Sequence, residues 1–214
     1  MRKLKHHRTY EVALDKAGLG PVAGVDEAGR GSCAGPISIA ACILPVEPIK
    51  DLAALTDSKK LSAKTRAELF PLIQKHARAW SIVHIDAGEI DSWGIQHANI
   101  SGMRRAVAQL EIQPHYILTD AMKVPGFATP SLPMIGGDAI VRCIAAASVL
   151  AKHSRDEIMD EYHEKYPSYG FNGHKGYGTK IHMDAVRLYG ASPVHRYSYA
   201  NVAAAHDEYL HARH

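Results

Sequence analysis

The stretch VAGVDEAGRGSCAGPISIAACIL, residues 22–44, decides the fold because two apolar runs flank a glycine-rich connection. Val22–Val25 and Ile37–Leu44 are rich in β-branched and small apolar residues, and Gly29–Gly35 lies between them. Apolar runs bounded by glycine are typical of strands. We therefore predict two neighbouring strands joined by an ordered turn.

Strand-like and helix-like runs continue through the rest of the chain. We predict strands at Trp80–Ile85 and His115–Thr119, a short apolar run at Leu132–Ile135, and helices at Ala63–Ala77, Ile95–Leu110, Ala139–Tyr166, Lys180–Tyr189 and Val202–Leu210. Ser62 suits the N-cap of the first helix, and Pro71 should kink or shorten that helix.

The length and composition fit one globular domain. The chain has 214 residues, 46% of them hydrophobic, which is enough to bury one sizeable core. Its longest apolar stretches are far shorter than the roughly 20 residues that cross a bilayer, and its N-terminus does not resemble a secretory signal. We expect a single domain over residues 1–214, with an N-terminal arm over about 1–18 and a helical C-terminal portion over about 180–214. We also expect a cytoplasmic monomer without membrane association.

Cysteines and charges constrain the chemistry weakly. Three cysteines without CxxC spacing argue against a disulfide scaffold and against a zinc site. The net charge of +3 is mild, and the positive residues gather at Arg2–Arg8, at Lys59, Lys60, Lys64 and Arg66, and at Arg104 with Arg105. Such clusters permit nucleic-acid binding, but solvated helix faces and a disordered arm explain them about equally well.

Four carboxylates stand at the ends of predicted elements. Asp26 and Glu27 follow the first strand, Asp120 follows the strand at His115–Thr119, and Asp138 precedes the long helix. Any one of them alone is more simply a turn former or an N-cap. If the four converge, two carboxylates about 4 Å apart repel by about 4 kcal/mol at an effective dielectric of about 20, so the cluster needs protons or cations.

Oxygen ligands without histidine or cysteine favour Mg²⁺ or Mn²⁺ over softer metals. Two such ions balance four carboxylates and suit phosphodiester hydrolysis. Adjacent residues of a regular strand point to opposite faces. We therefore expect the first strand to end or bulge at Asp26 and Glu27.

The stretch VDEAGRGSCAGP, Val25–Pro36, resembles the signature of prokaryotic ribonuclease HII, a type 2 ribonuclease H. Further blocks resemble that family in the family's order: DSKKLS at 57–62, GDAIVRCIAAASVLAKHSRD at 137–156, YGFNGHKGYGT at 169–179 and HRYSY at 195–199. Together they cover most of Val22–Tyr199. Several long ordered blocks are far more specific than one DE pair.

The resemblance implies an α/β protein with the ribonuclease H-like fold, a mixed five-stranded sheet flanked by helices, and a helical C-terminal portion. It assigns Asp26, Glu27, Asp120 and Asp138 as catalytic residues and ligands of Mn²⁺ or Mg²⁺, with two ions expected when substrate is bound. It implies an endonuclease that cuts the RNA strand of RNA/DNA hybrids and incises at ribonucleotides embedded in duplex DNA, leaving 5′-phosphate and 3′-hydroxyl ends.

The resemblance also implies a substrate-binding set. The backbone of Gly29, Arg30 and Gly31 is expected to contact the ribose 2′-hydroxyl, where a missing Cβ permits close approach. Tyr177 is expected to pack on the sugar beside the scissile bond, although it could simply plug a glycine-lined turn.

Lys59 resembles a phosphate contact, with a solvated surface position nearly as good an interpretation. Ser148 could face the substrate backbone or could belong to the edge of the core. His174, His182 and His195 are interpreted as structural, with His174 a minor candidate for proton transfer.

The chain departs from the family pattern at Ser32, Cys33, Ala121, Tyr199 and Asn201. Proline and a large apolar residue are common at the first two positions, glycine at the third, phenylalanine at the fourth and proline at the fifth. None of these changes removes a carboxylate, but Cys33 leaves the local shape of the substrate groove open.

Two other functions stay open on the sequence alone. One is a hybrid-binding protein without catalysis, which the four carboxylates argue against. The other is a structure-specific DNA nuclease that ignores the 2′-hydroxyl. Cleavage of matched duplexes with and without that hydroxyl separates the second alternative from a ribonuclease.

Overall fold

The computed structural model describes residues 9–213, which divide into two compact units. The first unit contains the chain up to Ala28, Ile39–Val83 and Ile100–His153. The second unit contains Gly29–Ser38, His84–Asn99 and the chain from Ser154 onward. A single domain over residues 1–214 stays a prediction, and the basic residues from Arg2 to Arg8 lie outside the described part.

The described chain forms one mixed five-stranded sheet, in the order β3-β2-β1-β4-β5. The strands are β1 at Val22–Ala28, β2 at Ile37–Ile43, β3 at Ala79–Ile85, β4 at Tyr116–Asp120 and β5 at Ser131–Met134. β1 pairs in parallel with β4, and β4 pairs in parallel with β5. The predicted pair of neighbouring strands is confirmed, because β1 and β2 lie side by side.

Helices form much of the rest of the described chain. They are α1 at Thr9–Lys16, α2 at Ala63–His76, α3 at Ala87–Trp93, α4 at Ile95–Ala108, α5 at Gly137–Ile140, α6 at Arg142–Lys165, α7 at Phe171–His174, α8 at Lys180–Tyr189 and α9 at Ala200–His211. Short 3₁₀ turns lie at Lys50–Leu52, Ser58–Lys60 and Pro167–Tyr169. Within residues 9–213, no helix is both long enough and apolar enough to cross a membrane.

Two helix predictions need correction. Pro71 does not shorten α2, which begins after its Ser62 cap and runs on to His76. Proline removes one backbone donor, and the helix accepts that loss while burying Leu69 and Ile73. The long helix predicted from Ala139 is divided, because Val141 is extended between α5 and α6.

The first unit buries its core on the surfaces of the sheet. Alanines of α6 at positions 145–147 pack with β2 and with apolar residues of α2. A smaller cluster joins Val22, Leu118 and Met134 of the strands to Ile144 of α6. This packing fixes the positions of β1, β4 and the beginning of α6 with respect to one another. β1 carries Asp26 and Glu27, β4 carries Asp120, and Asp138 lies in α5, shortly before α6.

Candidate active site

Three predicted carboxylates meet in the first unit. The parallel register places Val25 of β1 opposite Thr119 of β4. The next residues along the two strands, Asp26 and Asp120, therefore lie side by side. Asp138 of α5 joins them, and one carboxylate oxygen from each of the three lies within 4.8 Å of the other two. The sheet register therefore brings together acidic residues that are far apart in the chain.

Glu27 does not belong to this group of three in the described residues. β1 continues to Ala28, so Asp26 and Glu27 lie within a strand and alternate between its faces. The expectation that the strand ends at this pair is therefore wrong, and a bulge there stays a prediction. Asp26 is buried and Glu27 is half-buried, and the role of Glu27 as a metal ligand stays a prediction.

Buried hydroxyl groups hold the Asp26 carboxylate. The Ser148 side chain of α6 is hydrogen-bonded to Asp26, and the Ser148 hydroxyl lies 2.8 Å from that of Ser58. The Glu27 backbone N–H also donates to Asp26 Oδ1 over 2.7 Å. Contact of Ser148 with the substrate backbone stays a prediction, while its burial favours a role in positioning Asp26.

The other two aspartates are connected through the beginning of α5. The Gly137 N–H donates to Asp120 Oδ1 over 2.7 Å, which places Asp138, the following residue, beside Asp120. The Lys59 ammonium lies 3.5 Å from Asp138 Oδ2, and its side chain is 76% exposed. An exposed cation beside the cluster suits a phosphate contact, which stays a prediction for Lys59.

Asp26 and Asp138 hold protons more tightly than isolated carboxylates do. Burial raises the pKa of Asp26 well above its ordinary value, the charges of Glu27 and Asp120 add to this rise, and the Ser148 hydrogen bond opposes it. Burial and the Asp120 charge likewise raise the pKa of Asp138, against the lowering effect of Lys59. Crowded, partly desolvated negative charge is stabilised by cations as well as by protons. An all-oxygen donor set of this kind fits Mg²⁺ or Mn²⁺.

The predicted sugar contacts lie in the second unit. The backbone at Gly29–Gly31 forms a turn, and the exposed Arg30 guanidinium donates to Gln96 Oε1 over 2.9 Å. The Tyr177 side chain is 44% exposed, which argues against its plugging a turn. Sugar contacts by these residues stay predictions.

The contacts of His182 and His195 support their interpretation as structural residues, while proton transfer by His174 stays a prediction. The His182 and His195 rings are buried and share a hydrogen bond of 2.9 Å between their Nε2 atoms. His182 Nδ1 bonds to the Tyr177 carbonyl over 2.9 Å, and His195 Nδ1 accepts from the Ser192 N–H over 2.9 Å. Burial lowers the pKa of His182 to about 4 and that of His195 to about 3, so both rings are neutral near pH 7.

Sequence reasoning missed three polar residues that hold these sites. Ser58 supports Ser148, and the buried Arg155 and Arg196 bind backbone carbonyls around Gly29. Arg155 lies in the block at 137–156 and Arg196 in the block at 195–199, but the sequence does not distinguish a buried arginine from an exposed one. Their burial was the missing information.

Solved structures share this fold. The ribonuclease H2 of Pyrococcus horikoshii OT3 superimposes with a TM-score of 0.76 at 24% identity, covering 88% of this chain and 98% of that one. Bst-RNase HIII in complex with Mn²⁺ gives a TM-score of 0.72 at 20% identity, covering 93% of this chain and 74% of that one. The mixed sheet therefore defines the class, an α/β protein with the ribonuclease H-like fold, and in this chain the sheet carries a cluster of aspartates.

The particular family follows from the sequence. Residues 23–202 match the family described as Ribonuclease HII. The ribonuclease HII of Corynebacterium diphtheriae is 73% identical over 210 residues, covering 98% of this chain and 92% of that protein. This chain belongs to the ribonuclease HII family, whose members depend on metal and cut the RNA of RNA/DNA hybrids.

Proposed function

We propose that this enzyme hydrolyses the RNA strand of RNA/DNA hybrids and also incises at single ribonucleotides within duplex DNA, leaving 5′-phosphate and 3′-hydroxyl ends. The observation that carries the chemistry is the group formed by Asp26, Asp120 and Asp138, whose carboxylate oxygens lie within 4.8 Å of one another. Membership of the ribonuclease HII family supports the choice of substrate.

The proposed roles divide between holding metal and holding substrate. Asp26, Glu27, Asp120 and Asp138 would hold two Mn²⁺ or Mg²⁺ ions when substrate is bound. Such ions lower the pKa of an attacking water and stabilise the charge on the leaving oxygen. Ser148 keeps Asp26 oriented through its hydrogen bond. The exposed Lys59 would bind a substrate phosphate.

The proposed sugar-binding residues lie in the second unit. The backbone of Gly29, Arg30 and Gly31 would contact the ribose 2′-hydroxyl, and Tyr177 would pack on the sugar beside the scissile bond. Among the described residues, the N–H groups of Arg30 and Gly31 donate to no protein acceptor, which suits them to bind a ligand oxygen. A monomeric state and the cytoplasm as its location stay predictions.

The carboxylate site is tested by Asp138→Asn. The change keeps the shape of the side chain and removes one metal-binding charge, so we expect metal-dependent cleavage of an RNA/DNA hybrid to fall by about a hundredfold or more. Asp207→Asn is the matched control, because it makes the same chemical change on an exposed residue of α9. Equal activity of Asp138→Asn and Asp207→Asn would contradict the assignment.

Incision at single ribonucleotides needs its own substrate pair. Two DNA duplexes, identical except for one 2′-hydroxyl, are incubated with the enzyme in Mn²⁺ and in Mg²⁺. We expect incision of the ribonucleotide duplex alone, with a product that is ligatable at its 3′-hydroxyl and carries a 5′-phosphate. Incision of both duplexes would indicate a DNA nuclease, and cleavage of long hybrids alone would limit the proposal to its first part.

A further inference from the structure

A buried arginine holds the carbonyl side of the predicted sugar-binding turn. Arg196 donates to the carbonyls of Gly29 over 2.8 Å, Arg30 over 2.9 Å and Gly35 over 2.9 and 3.0 Å. Its side chain is fully buried. One planar guanidinium thus fixes three carbonyl groups in the segment that contains Gly31.

A second buried arginine connects this segment to the loop that carries Tyr177. Arg155 donates to the carbonyls of Ala34 over 3.1 Å and Pro36 over 2.9 Å, and to that of Lys175 over 2.9 Å. Its guanidinium carbon lies 5.9 Å from the centre of the Tyr177 ring. Arg155 therefore contacts both the segment that contains the sugar-binding turn and the loop that carries Tyr177.

The Tyr199 hydroxyl completes this network. It donates to the Arg30 carbonyl over 2.7 Å and accepts from Arg196 Nη1 over 2.9 Å. A phenylalanine at this position would make neither of these two bonds. The turn at Gly29–Gly31 is held by more bonds here than an apolar ring would allow.

The cost of these contacts indicates that the arrangement is specific. Burial and the neighbouring Arg196 charge lower the pKa of Arg155 to about 10, and burial also lowers the pKa of Arg196. Two buried cations placed near each other are unfavourable unless their donors are satisfied. Here the arginine donors bind the carbonyls of the segment. Among the described residues, the N–H groups of Arg30 and Gly31 donate to no protein acceptor, so they can bind a ligand oxygen.

We infer that Arg155 and Arg196 are positioning residues for ribonucleotide recognition: they bind the carbonyls of the 29–36 segment and thereby orient its N–H groups toward a 2′-hydroxyl. This inference rests on the proposed role of Gly29–Gly31 in contacting that hydroxyl. Neither arginine contacts the reacting atoms in this assignment. Their effect is on the preference for a ribonucleotide.

The test measures that preference by binding. Arg196→Lys and Arg155→Lys keep the charge but lose the fork that reaches several carbonyls. Each is placed in an Asp138→Asn background to limit cleavage, and dissociation constants are measured for the two duplexes that differ by one 2′-hydroxyl. We expect the ratio of the two constants to fall by about tenfold, since two or more hydrogen bonds lose their geometry.

The matched control is Arg142→Lys, another buried arginine that donates to a backbone carbonyl, that of Ile49, in the first unit. It should lower stability without changing the ratio. If Arg196→Lys fails to fold, Tyr199→Phe removes only the hydroxyl of the network, and we expect a two- to threefold loss of preference, about that of one hydrogen bond.

The outcomes distinguish a wrong contact with the 2′-hydroxyl from a wrong role for the two arginines. If the Asp138→Asn parent binds both duplexes equally, the proposed contact with the 2′-hydroxyl is wrong. If the parent prefers the ribonucleotide and folded lysine variants keep that preference, the inference about the arginines is wrong. An equal loss of affinity for both duplexes overturns it as well, because a general loss of structure would have that effect.

Discussion

The two glycines of the predicted sugar-binding turn are there for different physical reasons. Gly29 has φ +85°, and a Cβ at this position would overlap the Arg155 guanidinium, so the fold itself requires glycine. Gly31 lacks a positive φ, and an added Cβ would meet nothing within 4 Å. The protein alone does not require glycine there, whereas a closely approaching ligand would.

This contrast predicts the effect of Gly31→Ala. We expect its free energy of unfolding to change by less than about 1 kcal/mol, because the added methyl group has space, while its affinity for ribonucleotide-containing duplex falls. Gly29→Ala should lose at least about 1 kcal/mol of stability from the left-handed backbone alone. Chemical unfolding and duplex binding measure the two effects, and tight binding by Gly31→Ala would contradict the proposed approach of the sugar.

Ala121 is strained beside the carboxylate cluster. Its φ of +50° lies in the left-handed region, where glycine is more comfortable. Ala121→Gly should relieve this strain at some cost in chain entropy, raising the free energy of unfolding by up to about 1 kcal/mol. The same change within α9, Ala203→Gly, should destabilise by about 0.5–1 kcal/mol. Denaturant titrations measure both changes. If the two substitutions change the free energy of unfolding in the same direction, the explanation from backbone strain is wrong.

Contacts and backbone conformation explain three of the positions at which the chain departs from the family pattern, Cys33, Ala121 and Asn201. Cys33 and Asn201 occupy different blocks of the sequence, yet the Asn201 amide donates to the Cys33 sulfur over 3.0 Å. Cys33 is buried, so it packs inside the second unit. Ala121 occupies a position where glycine is common, and the backbone there explains that preference. Sequence patterns marked these positions without revealing their contacts.

At the scale of elements, α8 and the segment that precedes α9 are joined by neutral histidines. The Ser192 N–H donates to His195, the His195 ring to that of His182, and the His182 ring to the Tyr177 carbonyl, which fixes the tautomer of each ring. The His174 ring stacks on His182 with 4.4 Å between their centres. A proton added to the ring of His182 or His195 removes a hydrogen-bond acceptor and so breaks one of these hydrogen bonds.

This arrangement predicts acid sensitivity. The pKa values of His182 and His195 are lowered in the folded state, so their contribution to stability is present above about pH 6.5 and is lost as the pH falls below it. Between pH 7 and pH 5 we expect a loss on the order of 2–4 kcal/mol. Denaturant titrations across this range measure it. Replacing both rings with glutamine should flatten the dependence, and ring titration near pH 6.5 by NMR would contradict it.

The bounds of elements were predictable where the local signal was strong. The predicted helix Lys180–Tyr189 matches α8, which has a Thr179 cap at one end and Gly190 at the other. α3 was missed although Asp86 and Glu89 form a capping box before it, because its run is short. The pairing that sets Val25 of β1 opposite Thr119 of β4 joins distant segments, and no local pattern contains it.

At the scale of the whole molecule, the carboxylate cluster couples metal binding to stability. Asp26 and Asp138 resist ionisation because burial and neighbouring negative charges oppose it. The folded chain without metal therefore carries unfavourable repulsion, and cations that bind only the folded state relieve it. Saturating Mn²⁺ or Mg²⁺ at about one hundred times the dissociation constant should add about 2.7 kcal/mol to the free energy of unfolding.

Asp138→Asn separates these two effects. Without metal, removing one like charge should leave the thermal midpoint unchanged or slightly higher, whereas the variant should gain much less stability than the parent when Mn²⁺ is added. Asp207→Asn should follow the parent in both conditions. Thermal unfolding with a chelator and with a series of Mn²⁺ concentrations provides the comparison. A metal-free Asp138→Asn that melts well below the parent would mean that Asp138 mainly supports the fold, since relief of repulsion can only stabilise the folded chain.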